Sequence, residues 1–325
     1  MKNTKTLRIL IAGAGTMGHG LALLMARAGH DVTLSDLDDS ILQKALRLVE
    51  SRLEMLADSG EVDPNHIPAI LARIHPVKSP VGAGDMDFVL ETISEDVGIK
   101  RAFFQKIAPT IRTDALVASN TSYLNVFALA PAEIQDRLLI CHFFSPPYLL
   151  PLVEIVKGPE TDARHVETTR QLLAAAGQTP VVIEKFIPGF IVNRLQRALG
   201  REILHLIDGG YAQPEQIDKA VLASLGVRIP VLGVVRRYDF AGLDFTEKVL
   251  SNPSIELADK DGPSQTVSRL VAEGRLGVKS GKGFYDYGDR TLDEIYSRRD
   301  RLLIKTRRLI EEIEKEFWQD PKKQQ

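Results

Sequence analysis

Short apolar runs alternate with segments of helical periodicity over the first half of the chain. Such runs indicate strands buried on both faces, and the segments between them carry apolar residues at helical spacing. Strands alternating with helices predict a doubly wound α/β fold, a parallel sheet of Rossmann type. The predicted strands are Arg8–Ala12, Asp31–Ser35, Ile74–Val77, Asp87–Ile93, Ala115–Ser119, Arg137–Cys141, Leu152–Val156 and Pro180–Glu184.

The pattern changes close to residue 187. From Ile191 onward, strand-like runs nearly disappear and helical periodicity dominates. We therefore expect a Rossmann domain over residues 1–187 and an all-α domain over residues 188–325. The helices predicted in the second domain are Ile191–Asp208, Pro214–Leu225, Ala241–Leu250, Ser264–Glu273 and Ser297–Trp318.

A glycine-rich turn joins the first predicted strand to the first predicted helix. Gly13 permits a tight turn, Gly15 lets the backbone approach a pyrophosphate, and Gly18 lets helix and strand pack closely. The N–H groups at the start of the helix would face the phosphates. The spacing GxGxxG in this strand-turn-helix context predicts a dinucleotide site, with Thr16 and Met17 inside the turn.

Asp36 ends the second predicted strand, where a carboxylate accepts hydrogen bonds from the adenine ribose. Asp38 and Asp39 follow, and no arginine is close in sequence to hold a 2′-phosphate. The sequence therefore favours NAD over NADP.

Composition narrows the class of protein. The 325 residues carry a net charge of −2, which argues against nucleic acid or an anionic membrane as a partner. A single cysteine, Cys141, permits no intrachain disulfide, and no apolar stretch reaches the length of a transmembrane helix. We expect a cytoplasmic enzyme that acts on a small molecule.

Ser122 and His142 each follow a predicted strand, at the sheet edge where ligands of open parallel sheets bind. Glu154 lies within the apolar run Leu152–Val156, and a buried carboxylate is costly unless it is paired. His142 is its natural partner, because a carboxylate fixes the tautomer of an imidazole. The alternative is a core histidine with Glu154 on an exposed edge, and periodicity alone leaves both open.

Six motifs together resemble the 3-hydroxyacyl-CoA dehydrogenase family. They run in order from residue 13 to residue 287: GAGTMGHG, ETISED, NTS, HFFSPPYLLPLVEIV, PGFIVNR and KSGKGFYDY. The resemblance implies a Rossmann domain followed by a helical domain that forms a homodimer, with NAD as cofactor and no metal. It also implies oxidation of a 3-hydroxyacyl-CoA to a 3-ketoacyl-CoA, a reaction of fatty acid metabolism.

The same resemblance implies roles for matching residues. His142 would be the catalytic acid and base, oriented by Glu154, while Ser122 and Asn193 would bind the reacting oxygen, the carbonyl or the imidazole. Glu95 and Lys100 match positions that line the nicotinamide side of the cofactor. Lys279 matches a further cofactor contact.

Two departures from the family pattern leave the substrate open. Ser145 stands where members commonly have asparagine, and Arg236 and Arg237 follow Leu232-Gly-Val-Val. Glu54, Asp58 and Glu61 stand where acyl-CoA members have lysines, although Arg47 and Arg52 partly offset them. A CoA-free hydroxy acid or ring-borne alcohol is therefore an alternative substrate, with Ser122, Ser145, Arg236 and Arg237 as candidate contacts.

Two further alternatives are weaker. A short-chain dehydrogenase requires a Tyr-x-x-x-Lys pair, and none of the seven tyrosines has a lysine four residues on. A non-catalytic NAD-binding protein would not need His142, Glu154, Ser122 and Asn193 together.

Overall fold

The computed structural model describes residues 6–79, 83–255, 257–258 and 262–317. Packing divides the chain into two units, Met1–Asn193 and Arg194–Gln325. Each is described by itself below. The domain boundary near residue 187 stays a prediction.

The first unit is built on one eight-stranded sheet. The strands are β1 Arg8–Ala12, β2 Asp31–Ser35, β3 Ile74–Val77, β4 Phe88–Glu91, β5 Leu116–Ser119, β6 Leu138–Phe143, β7 Leu152–Lys157 and β8 Thr179–Ile183. They lie in the order β3-β2-β1-β4-β5-β6-β7-β8, so the chain first extends to one edge, then crosses to the other side of β1. The fold class predicted from the sequence is confirmed.

One strand pair departs from the predicted parallel arrangement. All pairs from β3 to β6 are parallel, whereas β7 pairs antiparallel with β6, and β8 runs parallel to β7. Only residues 144–151 connect β6 to β7. A parallel connection needs a crossover of a dozen or more residues, so this short segment can only reverse the chain.

Helices cover the sheet of the first unit. Helix α2 (Asp39–Asp58) begins after Asp38, whose side chain caps it by accepting a hydrogen bond from the Ser40 amide. Phe104, Val117, Leu138 and Ile140 belong to a core between sheet and helices. The helices are α1 Gly18–Arg27, α2 Asp39–Asp58, α3 Ile67–Leu71, α4 Val97–Ile107 and α5 Ala163–Ala175.

The second unit is helical over the residues that the structure describes, apart from isolated bridges at Gly277, Lys282 and Asp286. The predicted helices do not include α8 (Leu225–Leu232), and Pro230 lies inside it. Trp318, the predicted end of the last helix, lies outside the described residues. The helices are α6 Val192–Asp208, which begins in the first unit, α7 Pro214–Ala223, α8 Leu225–Leu232, α9 Arg236–Ala241, α10 Leu243–Leu250, α11 Gln265–Ala272 and α12 Leu292–Phe317. Among the described residues, no helix is long and apolar enough to cross a bilayer.

Candidate active site

The glycine turn between β1 and α1 is closely packed at two positions and open at the third. A Cβ added to Gly18 would lie 1.8 Å from the Gly13 carbonyl oxygen, and one added to Gly13, which has a φ of +104°, would lie 2.6 Å from the Thr92 carbonyl oxygen. A Cβ on Gly15 would meet no atom of the described chain within 4 Å. Gly13 and Gly18 therefore serve the packing of the turn, while Gly15 leaves space for a ligand.

The start of α1 suits a diphosphate. Within α1, which the structure describes throughout, the first turn has no acidic residue and Met17 caps it without a side-chain hydrogen bond. Its first N–H groups are thus available to an anion. Asp36 lies at the end of β2, and its Oδ2 accepts a 2.9 Å hydrogen bond from the Ala14 amide. These residues fit an NAD molecule bound across the turn.

His142 and Glu154 face each other across the antiparallel pair. The two residues are direct register partners on β6 and β7, so their side chains project from the same face of the sheet. Nδ1 of His142 lies 2.7 Å from Oε2 of Glu154. Both side chains are buried, with His142 4% and Glu154 1% exposed. The alternative that placed Glu154 on an exposed edge is wrong, because β8 covers that side of β7.

The second oxygen of Glu154 is held by the start of α6. Oε1 accepts hydrogen bonds of 2.9 Å from the amides of Ile191 and Val192. Burial acts against the charged form, but the hydrogen bonds from His142 and from these two amides outweigh it. The pKa of Glu154 therefore lies below its ordinary value. The carboxylate is ionised at neutral pH and both of its oxygens are in use.

Phe190 shapes the turn that delivers those amides. It is 1% exposed and has a φ of +51°, an uncommon conformation for a bulky residue. Its ring lies 5.3 Å from the His142 ring, and the Phe144 ring lies 4.6 Å from it in an edge arrangement. The imidazole is thus fixed by packing as well as by Glu154.

Neighbouring Cys141 is fully buried. Burial raises the pKa of its thiol, so Cys141 is a core residue.

The NTS segment after β5 lies beside the end of β6. Oδ1 of Asn120 accepts a 2.8 Å hydrogen bond from the Phe143 amide, which ties the segment to the strand that carries His142. Ser122 is half-buried, and its amide donates a 2.8 Å hydrogen bond to Oε1 of Glu95. Asn193 is half-buried in the first turn of α6, directly after the amides that bind Glu154.

Glu95 and Lys100 belong to a buried charge network. Nζ of Lys100, whose side chain is 1% exposed, lies 2.6 Å from Oε1 of Glu91 and 3.1 Å from Oε2 of Glu95. Burial raises the pKa of the Glu91 carboxyl despite its contact with Lys100. Burial also acts against ionised Glu95, but hydrogen bonds from Thr121, Ser122 and Lys100 hold its pKa below the ordinary value.

The remaining predicted residues are less constrained. Ser145 is exposed after β6. In the helical unit, the Arg237 guanidinium lies 4.5 Å from the centroid of the Tyr238 ring at the start of α9, and Arg236 is exposed beside it. Lys279 lines a cavity of about 540 Å³ within that unit.

Among the described residues, no cluster of three or more His, Cys, Asp or Glu side chains is placed to hold a metal.

Sequence reasoning missed several residues that the structure brings to this site. Glu91 follows the same logic as Glu154, a carboxylate inside an apolar run, and was recognisable on that ground. Asn120 and Thr121 belong to the NTS motif but gave no sign of their partners. Phe190 gave no sign of its conformation.

Comparison with known families identifies the family to which the chain belongs. The model for the NAD binding domain of 3-hydroxyacyl-CoA dehydrogenase matches residues 8–186, and the model for the C-terminal domain matches residues 189–287. The chain belongs to the 3-hydroxyacyl-CoA dehydrogenase family. The predicted family, the predicted cofactor NAD and the predicted enzyme class, an oxidoreductase that acts on a CH–OH group, are thereby confirmed.

Individual relatives divide into two groups. The 5-formyl-3-hydroxy-2-methylpyridine 4-carboxylate 5-dehydrogenase of Mesorhizobium japonicum is 31% identical over 93% of this chain and 98% of its own length. A crystal structure of such an enzyme, an NAD⁺-dependent dismutase, has a TM-score of 0.84 at 30% identity and covers 94% of this chain and 99% of its own. The 3-hydroxybutyryl-CoA dehydrogenase of Bradyrhizobium diazoefficiens is 32% identical over 86% of this chain and 95% of its own length. The FadB2 structure from M. tuberculosis has a TM-score of 0.72 at 29% identity and covers 87% of this chain and all of its own.

Proposed function

We propose that this enzyme interconverts a 3-hydroxyacyl-CoA and a 3-ketoacyl-CoA, with His142 and Glu154 as the acid/base pair. The observation that carries the chemistry is the buried pair itself, in which Glu154 contacts one nitrogen of the imidazole at 2.7 Å. The match of both family models to the chain supports the thioester substrate. With that substrate the enzyme would act in fatty acid metabolism.

The geometry supports a separate role for each imidazole nitrogen. Glu154 engages Nδ1, so Nε2 is the atom that exchanges a proton with the substrate oxygen. In oxidation, neutral His142 accepts the hydroxyl proton, and ionised Glu154 stabilises the imidazolium that forms. In reduction, the imidazolium returns the proton to the carbonyl oxygen. Ser122 and Asn193 would bind that oxygen.

The cofactor supplies the hydride acceptor and donor when it is bound. The residues that would hold it are Gly13, Gly15, Thr16, Met17, Gly18 and Asp36, with Glu95 on the nicotinamide side. The free space in front of Gly15 and the open first turn of α1 support this placement. Lys279 is a further proposed contact.

Replacing His142 by glutamine tests the acid/base assignment. We expect turnover to fall by about 10²–10⁴-fold, the contribution of a general acid or base. NADH affinity should stay nearly unchanged in a fluorescence titration. Glu154→Gln should also lower kcat severely, because the imidazole loses its charged partner. Retention of most activity by either variant would show that the pair is not the catalytic one.

A CoA-free substrate is the second candidate, and a specific observation favours it. The structure of the pyridine carboxylate dehydrogenase covers 94% of this chain with a TM-score of 0.84, whereas FadB2 covers 87% with a TM-score of 0.72. The argument against CoA from the carboxylates on and after α2 is weaker than the sequence indicated. One of them, Glu61, has a side chain that is 8% exposed and lies 4.0 Å from Arg27. Arg236 and Arg237 are suited to bind a substrate carboxylate.

The two substrates are separated by NADH oxidation with acetoacetyl-CoA and with free 3-keto acids at matched concentration. Fast turnover of the thioester at a micromolar KM supports the first candidate. Activity only with free acids, lost in Arg236→Ala or Arg237→Ala, supports the second.

A further inference from the structure

A buried polar network joins four elements at the carboxyl end of the sheet. Glu91 at the end of β4 and Ser119 at the end of β5 are both fully buried, and the Ser119 hydroxyl donates a 2.5 Å hydrogen bond to Oε2 of Glu91. Lys100 reaches into this pair from α4. Thr121, fully buried in the loop after β5, donates its hydroxyl at 2.5 Å to Oε1 of Glu95.

Lys100 has its hydrogen-bonding capacity filled inside the protein. An ammonium has three donors, and three acceptors lie within 3.5 Å of this one: Glu91 Oε1, Glu95 Oε2 and the Ile93 carbonyl oxygen. With a side chain that is 1% exposed and two carboxylates as partners, Lys100 has little left to offer a ligand.

The network ends on Ser122. Oε1 of Glu95 accepts both the Thr121 hydroxyl and the Ser122 amide, and Oγ1 of Thr121 in turn accepts the Leu124 amide at 2.9 Å. The backbone on both sides of Ser122 is therefore fixed by the side chains of Thr121 and Glu95, and Glu95 is in turn held by Lys100. Buried networks of this kind fix a geometry when every member is satisfied.

We propose that Thr121, Glu91 and Lys100 are positioning residues for Ser122, acting through Glu95, and that Lys100 is an internal counter-ion and not a contact of the cofactor. This inference rests on the proposed role of Ser122 in binding the reacting oxygen. It changes the role that the family resemblance implies for Lys100.

A double-mutant cycle between Thr121 and Ser122 tests the positioning role. Thr121→Val removes the hydroxyl at nearly constant volume, and Thr121→Ser keeps it. With the substrate that the wild type turns over, we expect Thr121→Val to lower kcat about tenfold, because a misplaced contact group loses catalysis without losing the fold. NADH affinity should change by less than about twofold, and Thr121→Ser should recover most of kcat. In the Ser122→Ala background, Thr121→Val should lower kcat by less than about twofold, since residues that act through one another are not additive.

The double variant Glu91→Gln/Lys100→Met tests the assignment of Lys100. It removes the two most deeply buried charges together and leaves only Glu95, whose side chain is 28% exposed, without its lysine, whereas the single Lys100→Met variant would also leave fully buried Glu91 unpaired. We expect its affinity for NADH, by fluorescence titration, to stay within about threefold of the wild type.

Three results would overturn the inference. A tenfold loss of NADH affinity in the double variant that persists when the same changes are made in the Glu95→Gln background would make Lys100 a cofactor contact. An equal loss of kcat from Thr121→Val with and without Ser122 would make Thr121 independent of Ser122. An unchanged kcat in Ser122→Ala would remove Ser122 from the reaction. Failure of the proposed function is separate from these, because it shows as an active His142→Gln enzyme.

Discussion

At the scale of single residues, Asp36 serves two purposes at the end of β2. One oxygen accepts the Ala14 amide, and the carboxylate lies beside the turn where the adenine ribose is expected. Nearby Asp39 instead pairs on the surface with Lys78 at 2.5 Å. The two carboxylates are close in sequence but differ in partner, so they form a matched pair for testing cofactor choice.

We predict that the enzyme binds NADH more tightly than NADPH, and that Asp36→Ala weakens NADH and narrows the preference. Hydrogen bonds to a charged group contribute about 1.5–3 kcal/mol, so the loss should be roughly tenfold or more. Parallel fluorescence titrations with both cofactors measure it. Asp39→Ala is the control and should leave both affinities unchanged. Equal or tighter binding of NADPH by the wild type would contradict the assignment.

The lowered pKa of Glu154 predicts an acid dependence of stability. Because the folded-state pKa lies below the ordinary value of 4.5, the stabilisation is present above pH 4.5 and is lost as the pH falls through the folded-state pKa. Urea unfolding between about pH 6 and pH 3 should show a steeper fall in the free energy of unfolding for the wild type than for Glu154→Gln. Parallel curves for the two proteins would mean that Glu154 titrates alike in folded and unfolded chains.

At the scale of elements, different glycines of the turn between β1 and α1 serve folding and binding. The turn is tight at Gly18, where an added Cβ would meet a backbone oxygen, and open at Gly15. Substitutions at these two positions therefore act through different steps.

We predict that Gly15→Ala folds normally but binds NADH at least about tenfold more weakly, because its methyl group takes space meant for the pyrophosphate. Gly18→Ala should instead lower the melting temperature, since its Cβ would overlap the Gly13 carbonyl. Thermal denaturation and NADH titration of both variants provide the measurement. A stable Gly18→Ala variant, or a Gly15→Ala variant with full affinity, would contradict this division.

The positions of the strands were predictable from the sequence, but the direction of β7 was not. The predicted strands are confirmed with small shifts at their ends, because apolar periodicity reports burial directly. The direction of β7 is not encoded in its composition, since an apolar run reads the same for either direction. The length of residues 144–151 was the available clue.

The candidate site was predictable only where one residue type implies a partner. Glu154 in an apolar run required a partner, and His142 is that partner. The Ile191 and Val192 amides that share Glu154 were not predictable, because backbone donors carry no sequence signature. The partners of Lys100 were not predictable either, because they depend on how β4, β5 and α4 pack together.

At the scale of the whole molecule, the helical unit exposes many apolar side chains. Phe240, Phe245 and Leu243 are 62%, 58% and 65% exposed, and Leu302 and Leu309 on α12 are 53% and 55% exposed. Exposed apolar side chains in this number are typical of a surface that another chain covers. We propose that a second copy of the chain covers it, as the family resemblance implies.

We predict a homodimer through residues 188–325. Light scattering of the purified chain at micromolar concentration should give twice the mass of one chain, and the mass should persist on dilution because apolar interfaces of obligate dimers are stable. Introducing charge at Phe245 or Leu309 identifies which part of this surface is covered, since a buried charge without a partner disfavours association. A monomer under these conditions would refute the prediction.

The antiparallel register of β6 and β7 has a consequence for engineering this scaffold. His142 and Glu154 meet because they are direct cross-strand partners, so their juxtaposition depends on the alignment of β6 and β7. We therefore expect substitutions at exposed positions of the connecting segment, such as Ser145, to leave the contact between His142 and Glu154 intact, whereas Phe144 must be kept because its ring lies 4.6 Å from the His142 ring. A single residue inserted within β7 would do the opposite, because it turns Glu154 to the other face of the sheet.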